Sequence, residues 1–353
     1  MRRQSRQLMV MAAALLALTA GCSPDDPDSD DGSEGPSSAT PSATLFSPPS
    51  GPITQPAFRP RKGLILASIP TGGGTGPSGI SLGHGSVWVT THRSAELLRI
   101  DPKTHKIVAR IPIPEAHGLL EAAPVITPNS VILCVFEKSR VASVDPTTNR
   151  LRIRRGVPCD ALEHGELGTW LAGDDRLTQI DPVSLRTLRV LRPKGLLRPL
   201  NGDVVQAGGS LWVSIGDEVG ELYRIHPRSA AVLGHWSFGD GNFSLARIGQ
   251  WVYFTNPASD EVSIVDVTTN KVIRTRTVPG SGAGDPILTA GRGQLWASAY
   301  DGGLARLDPK TLKVIASGQL GSQDYVGELA VGKDRIWYPT YGGDTVLEVR
   351  SRF

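Results

Sequence analysis

Acidic or amide side chains recur at comparable places along this chain: Glu121, Asp160, Glu163, Asp203, Asn242, Asp285 and Glu328. Oxygen atoms gathered round one opening suit a hard cation such as Ca²⁺ or Mg²⁺, or an organic cation drawn in by the summed negative field. Glu121, Asp203, Asp285 and Glu328 form the candidate metal set. Asp160, Glu163 and Asn242, with His117 and Tyr325, form a candidate ligand-contact set. Taken singly, each also reads as an ordinary turn residue, because Asp and Asn side chains accept hydrogen bonds from the N–H groups of their own turns. Their recurrence is what singles them out, so the reading depends on whether the fold gathers them.

Nucleophiles and bases are scarcer. His84 and His164 each precede a glycine, which places them at hairpin tips, and His226 occupies a turn position that other repeats give to aspartate. His117 alone is expected near a channel mouth. Cys134 and Cys159 admit a disulfide if the chain is exported to an oxidising compartment, but sequence does not fix the Cα separation of under about 7 Å that a bridge requires. Two cysteines without partnering histidines do not make a zinc site.

The third cysteine has a different context. Arg2, Arg3 and Arg6 precede an apolar run from Leu8 to Leu18, the pattern of a secretory signal and too short for a bilayer span of about 20 residues. The run ends in Leu18-Thr19-Ala20-Gly21-Cys22, which resembles the lipobox of bacterial lipoproteins. That resemblance implies cleavage after residue 21 and diacylation of Cys22, two acyl chains being enough for stable attachment. Residues 22 to 62 are rich in Ser, Pro, Gly, Asp and Thr, with six acids between Asp25 and Glu34. Such a segment buries too little apolar surface to offset its chain entropy and is expected to be a disordered, extended tether, similar to those of actinobacterial lipoproteins. The expected location is the outer face of the cell membrane. Beyond residue 34 the chain holds 34 Lys plus Arg against 28 Asp plus Glu. That balance, with no basic stripe interleaved with aromatics, argues against nucleic-acid binding.

The elements that must position the acids repeat. An apolar-Asp-Pro turn recurs around Asp101, Asp145, Asp181, His226, Asp266 and Asp308, at spacings of 44, 36, 45, 40 and 42 residues, and a further 42 reaches Arg350. Each unit carries four short β-branched runs bounded by turn residues, which predicts four antiparallel strands. Trp88, Trp170, Trp212, Trp251, Trp296 and Trp337 fall in the second strand of their units, Ile132 replacing the ring in the second unit. A large ring at a repeat period fills the wedge between neighbouring sheets. The last unit lacks a fourth strand, while residues 64 to 69 read like one, so the two ends of the chain are expected to share the last sheet. The predicted architecture is an all-β, seven-bladed β-propeller over residues 63 to 353, closed by its N-terminal strand.

Gly85-Ser86-Val87-Trp88-Val89-Thr90, Ser210-Leu211-Trp212-Val213-Ser214 and Trp251-Val252-Tyr253-Phe254-Thr255-Asn256 resemble YVTN-type repeats and the virginiamycin B lyase-like β-propellers. Those lyases use a histidine and glutamates in the late blades with Mg²⁺. No histidine follows His235 here, so the matching base is absent. The resulting expectation is a monomeric, non-catalytic binding module for a small molecule, cell-wall component or protein. The alternative is a metal-assisted lyase or lactonase-type hydrolase using acids at the channel mouth.

Overall fold

The computed structural model describes residues 63–352 apart from 119, 121, 136–138, 197–198, 216–219, 239–243, 257–260, 279–286, 299–302 and 321–327. The signal, Cys22 and the tether lie outside the described residues, as do Glu121, Asn242, Asp285 and Tyr325. Among the described residues no helix is long and apolar enough to cross a membrane.

The chain forms seven four-stranded antiparallel sheets. Six are built from consecutive strands, such as β2 (Pro77–Gly83), β3 (Ser86–Thr91), β4 (Glu96–Asp101) and β5 (Lys106–Pro112) in blade one. The seventh pairs β1 (Ile65–Pro70) with β28 (Thr345–Arg350), followed inward by β27 (Arg335–Thr340) and β26 (Ala330–Val331). The first strand therefore completes the last blade, and the ring has no open seam.

The recurring aspartates explain how each blade turns outward. Asp101 Oδ1 accepts the N–H of Lys103 at 2.7 Å, and Asp145, Asp181, Asp266 and Asp308 accept equivalent bonds from their own turns. These bonds hold the carboxyls below the usual range, Asp145 at about 2 with the Thr147 hydroxyl as the largest cause. In blade four His226 Nδ1 takes the carboxylate's place, accepting from the N–H groups of Arg228 and Ser229. Four residues after each of these positions the backbone is left-handed, including Leu185 (φ 60°) and Leu312 (φ 55°). Burial of both leucine side chains holds a conformation that a branched residue otherwise avoids.

The aromatic wedge is nearly as expected, with one displacement. Trp88, Trp170, Trp212, Trp296 and Trp337 sit opposite the residue two before the turn position of their blade, as Trp88 opposes Arg99. Trp251 instead opposes Asp266 and is only partly buried, while Tyr253 opposes Ile264 in the equivalent position and is fully buried. The Tyr253 hydroxyl donates to Pro309 O at 2.9 Å, so a ring with a polar tip fills that wedge and reaches the neighbouring blade.

Close contact between inner hairpins requires glycine. A Cβ on Gly83 would lie 2.4 Å from Ile126 Cγ2, and one on Gly291 would lie 2.8 Å from Val331 Cβ, each neighbour belonging to the next blade. Cys134, in β7 (Val131–Val135) of blade two, and Cys159, at the start of blade three, form a disulfide with Cα atoms 5.3 Å apart. The bridge covalently joins two blades that also meet through apolar contacts and through the Ser130 and Ser143 hydroxyls, both of which donate to Pro182 O.

Candidate functional site

The innermost strands of all seven blades line one central funnel of about 580 Å³. Besides β2 and β26 they are β6 (Val125–Ile126), β10 (Ala161–Gly165), β14 (Val204–Ala207), β18 (Leu245–Ile248) and β22 (Ile287–Gly291). Pairing with the second strands sets their heights. Ser81, Val125, Glu163, Val205, Ala246, Thr289 and Ala330 lie opposite the wedge position and so share one level. One residue toward the mouth the side chains are apolar and buried, among them Ile80, Leu162, Val204, Leu245, Leu288 and Leu329, only Leu162 being partly exposed. These packed neighbours fix the strands that carry the polar groups.

Asp203 and Glu328 occupy the next level up, on blades four and seven. Asp203 is held on both oxygens: Oδ1 accepts Val204 N–H at 2.8 Å, and Oδ2 accepts Leu245 N–H of blade five at 3.0 Å. Ser214 Oγ accepts its backbone N–H at 2.7 Å, which fixes the turn that aims the carboxyl. Burial still pushes Asp203 up to about 6, against the pull of those two N–H groups. Glu328 is exposed to solvent inside the funnel, yet the protein walls crowded round it, and then the charge of Asp203, raise it to about 7, while a hydrogen bond from Ala123 N–H pulls it down. Glu163, at the wedge level, is pushed to about 8, by burial first and Asp203 second, with Arg247 opposing and Glu328 adding to the rise. Three carboxyls from blades three, four and seven therefore share one electrostatic site and resist simultaneous ionisation.

Arg247, on blade five, was not among the residues expected from sequence. It lies one level below Glu163, beside His164 of blade three and Gln206 of blade four, in a column otherwise filled by Leu82, Ile126, Ala290 and Val331. Three residues of strand rise, about 10 Å, separate it from the level of Asp203 and Glu328. The funnel is thus acidic toward its mouth and cationic deeper in.

The other expected residues fare unevenly. Asp160 lines the funnel near its mouth, its N–H bonded to Ala172 O at 2.8 Å. His117 does not face the funnel: it is exposed on the loop after β5, with Nδ1 3.0 Å from Arg93 O, because the Gly118 N–H bond to His92 O folds that loop back on blade one. His164 is not a hairpin tip but a β10 residue of the funnel wall. It bonds Thr169 Oγ1 at 2.8 Å, and burial lowers its pKa. Of the candidate metal set, Asp203 and Glu328 meet in the funnel, while Glu121 and Asp285 fall outside the described residues. Among the described residues no three His, Cys, Asp or Glu side chains converge closely enough to hold one metal ion. An organic cation, which spreads its charge over several contacts, suits the separated carboxyls better than a compact ion does.

No protein-family model and no curated protein matches the chain. Solved structures do. Virginiamycin B lyase from Staphylococcus aureus superposes with a TM-score of 0.67 at 15% identity, over 80% of this chain and 98% of the enzyme. Hydrazine synthase from Kuenenia stuttgartiensis gives 0.65 at 13% identity, over 80% and 97%. BamB from Moraxella catarrhalis gives 0.53 at 15% identity, over 78% and 84%. Identity this low carries the fold and nothing finer. On sheet order, closure and these likenesses together, the chain is a seven-bladed β-propeller similar in architecture to virginiamycin B lyase and BamB.

Proposed function

We propose that this protein is a lipid-anchored binding module on the outer face of the cell membrane, whose funnel takes an organic cation such as an amine-bearing small molecule or peptide. The observation that carries the reading is the meeting of Glu163, Asp203 and Glu328 in one cavity. Carboxyls placed this way hold protons near neutrality, and a cation bound among them offsets their mutual repulsion and favours their ionised forms.

Binding of a diamine probe, followed by calorimetry, should strengthen from about pH 5 to about pH 8 as the carboxyls ionise, with protons released on binding. Glu163→Gln together with Glu328→Gln should weaken the interaction at least about tenfold, the loss of one desolvated charge contact corresponding to about 1.4 kcal/mol. Affinity that is independent of pH and untouched by the double substitution would refute the funnel as the site. Anchoring is separable: Cys22→Ala should move the protein from the membrane fraction to the medium. The competing enzymatic reading draws on the same near-neutral carboxyls, since acid and base groups work best near the operating pH. It requires turnover, so recovery of an ester or lactone probe unchanged after incubation favours binding.

A further inference from the structure

The outermost strands of all seven blades contain no acidic residue, and the cations they carry are concentrated unevenly. In blade two, β9 (Leu151–Arg155) has arginine at three of its five positions, Arg152, Arg154 and Arg155. In blade three, β13 (Thr187–Leu191) is flanked by Arg186, Arg192 and Lys194. The outer strand of blade five, β21 (Lys271–Thr277), also carries three cations, Lys271, Arg274 and Arg276, but edge protection strand by strand does not account for two cationic rims on neighbouring blades.

The two strands share a seam. Arg154 donates to Leu185 O of blade three at 2.5 Å, and Arg152, two residues away, lies on the same strand face. Arg189 donates to Pro227 O of blade four at 3.1 Å, so the alternating side chain of Val190 faces back toward blade two, while Leu188 is the residue pushed out by the bulge of this strand. Leu188 and Val190 are exposed at 48% and 40%, and Val183 on the adjoining turn at 47%; the bulge position of Leu188 is open in other blades too, at Val108, Leu233, Ile273 and Ile315, whereas Val190 and Val183 have no aliphatic counterpart in blades one, four, five and six. The nearby acids are engaged: Glu115 with Arg140 and Arg155, Asp175 with Arg176 and Arg192, and Asp181 with the N–H groups of its own turn. Among the described residues no ion pair holds Arg152, Arg186 or Lys194.

We infer that the rim seam of blades two and three docks on an anionic bilayer surface. Guanidinium and ammonium groups would meet lipid phosphates while Leu188, Val190 and Val183 enter the boundary between headgroups and acyl chains, the combination that holds proteins at an interface. Charge complementarity selects this occupant, and the proposed anchor makes it available. The 41 residues from 22 to 62 span up to about 140 Å when extended, so the tether permits the rim to touch or leave the membrane. This inference rests on the anchored reading, but it is tested without the anchor.

A chain beginning at Ser23 keeps every described residue, all seven blades and their closure, and lacks the lipid. Sedimentation with vesicles of phosphatidylglycerol in phosphatidylcholine should show partition that falls with added salt. Arg152→Glu, Arg186→Glu and Lys194→Glu together should lower it by at least about a hundredfold, at about fivefold for each cation lost and more for each acid introduced. Arg274→Glu with Arg276→Glu on the rim of blade five should leave it largely intact. Absence of partition at low salt, equal partition to phosphatidylcholine alone, or equal loss from the blade-five pair would each overturn the inference. Matching melting curves for both variants guard against unfolding as the cause. A soluble Cys22→Ala protein combined with intact vesicle binding separates the anchor from the rim.

Discussion

At the scale of single residues, the funnel and the turns respond to pH in opposite senses. Glu163 is held at about 8 against an ordinary 4.5, so the native state binds its proton more tightly than the unfolded chain does. Its contribution to stability is complete below about pH 4.5 and is lost as pH rises through about 8. Asp145 is held at about 2 against 3.8; its contribution is present above about 3.8 and lost as pH falls through about 2. The melting temperature should therefore peak in weakly acid solution and decline toward pH 8, and Glu163→Gln should flatten the alkaline side while leaving the acid side alone. A decline of equal slope in the substituted protein would remove Glu163 as its cause. The three funnel carboxyls titrate as a group, so the test is the change in slope rather than a single midpoint. Asp203, Glu163 and Glu328 were legible in the sequence because they recur where the innermost strands begin. Arg247 was not, because a single cation has no recurrence along the chain to mark it; the signal was there as a charged residue in a column that four other blades fill with apolar side chains.

At the scale of the strand and the blade, close approach rather than turn chemistry ties the scaffold to the site. A Cβ on Gly79 would fall 2.2 Å from Ala122 O and 2.4 Å from Ala123 N. Backbone must move to accept it, and Ala123 is the group whose N–H bonds the Glu328 carboxyl. Gly79→Ala should then cost roughly 1–3 kcal/mol of stability, typical of overpacking, and also weaken diamine binding, although residue 79 touches no ligand; denaturant titration alongside calorimetry reads both effects. The Cys134–Cys159 bridge acts on another pair of blades. Replacing both with alanine should lower stability by about 2–4 kcal/mol, with the effect of reductant on the parent protein falling in the same range. Repeat spacing made the blades legible because the Asp-centred turn uses local hydrogen bonds, which sequence displays directly. Register was less legible: Trp251 sits in the expected strand, but Tyr253 takes the wedge, since strand pairing two residues along depends on the neighbouring blade. The disulfide stayed open for the same reason, its geometry being set by contacts between blades. The bulges of the outer strands were also invisible. Six of the seven outer pairings carry one, and it pushes out residues such as Val108 and Ile273 in a form that blocks pairing with another sheet.

At the scale of the whole ring, the funnel draws on closure, because the backbone N–H of Ala123 in the second blade acts on the Glu328 carboxyl of the last, across the junction between the first blade and the last. That junction is fastened at two depths. Leu64 and Ile69 are buried at 3% and 4% beside β28 and its neighbours. In the turn between β27 and β28 the Asp344 carboxylate accepts the N–H groups of Gly74 at 2.6 Å and Gly76 at 2.8 Å, while its carbonyl accepts Thr71 N–H at 2.8 Å. Deleting residues 63 to 70 removes two buried aliphatic side chains, about 1.5–3 kcal/mol each, and uncovers the edge of β28. The sum is comparable with the total stability of a typical domain, so the truncated chain should be unfolded or aggregated at room temperature, as read by circular dichroism and size exclusion. A synthetic peptide of residues 63 to 71 should restore the folded signal by adding a strand to that edge. A truncated chain that melts like the parent would show that β28 needs no partner, and diamine binding by such a chain would show that the funnel forms without a closed ring.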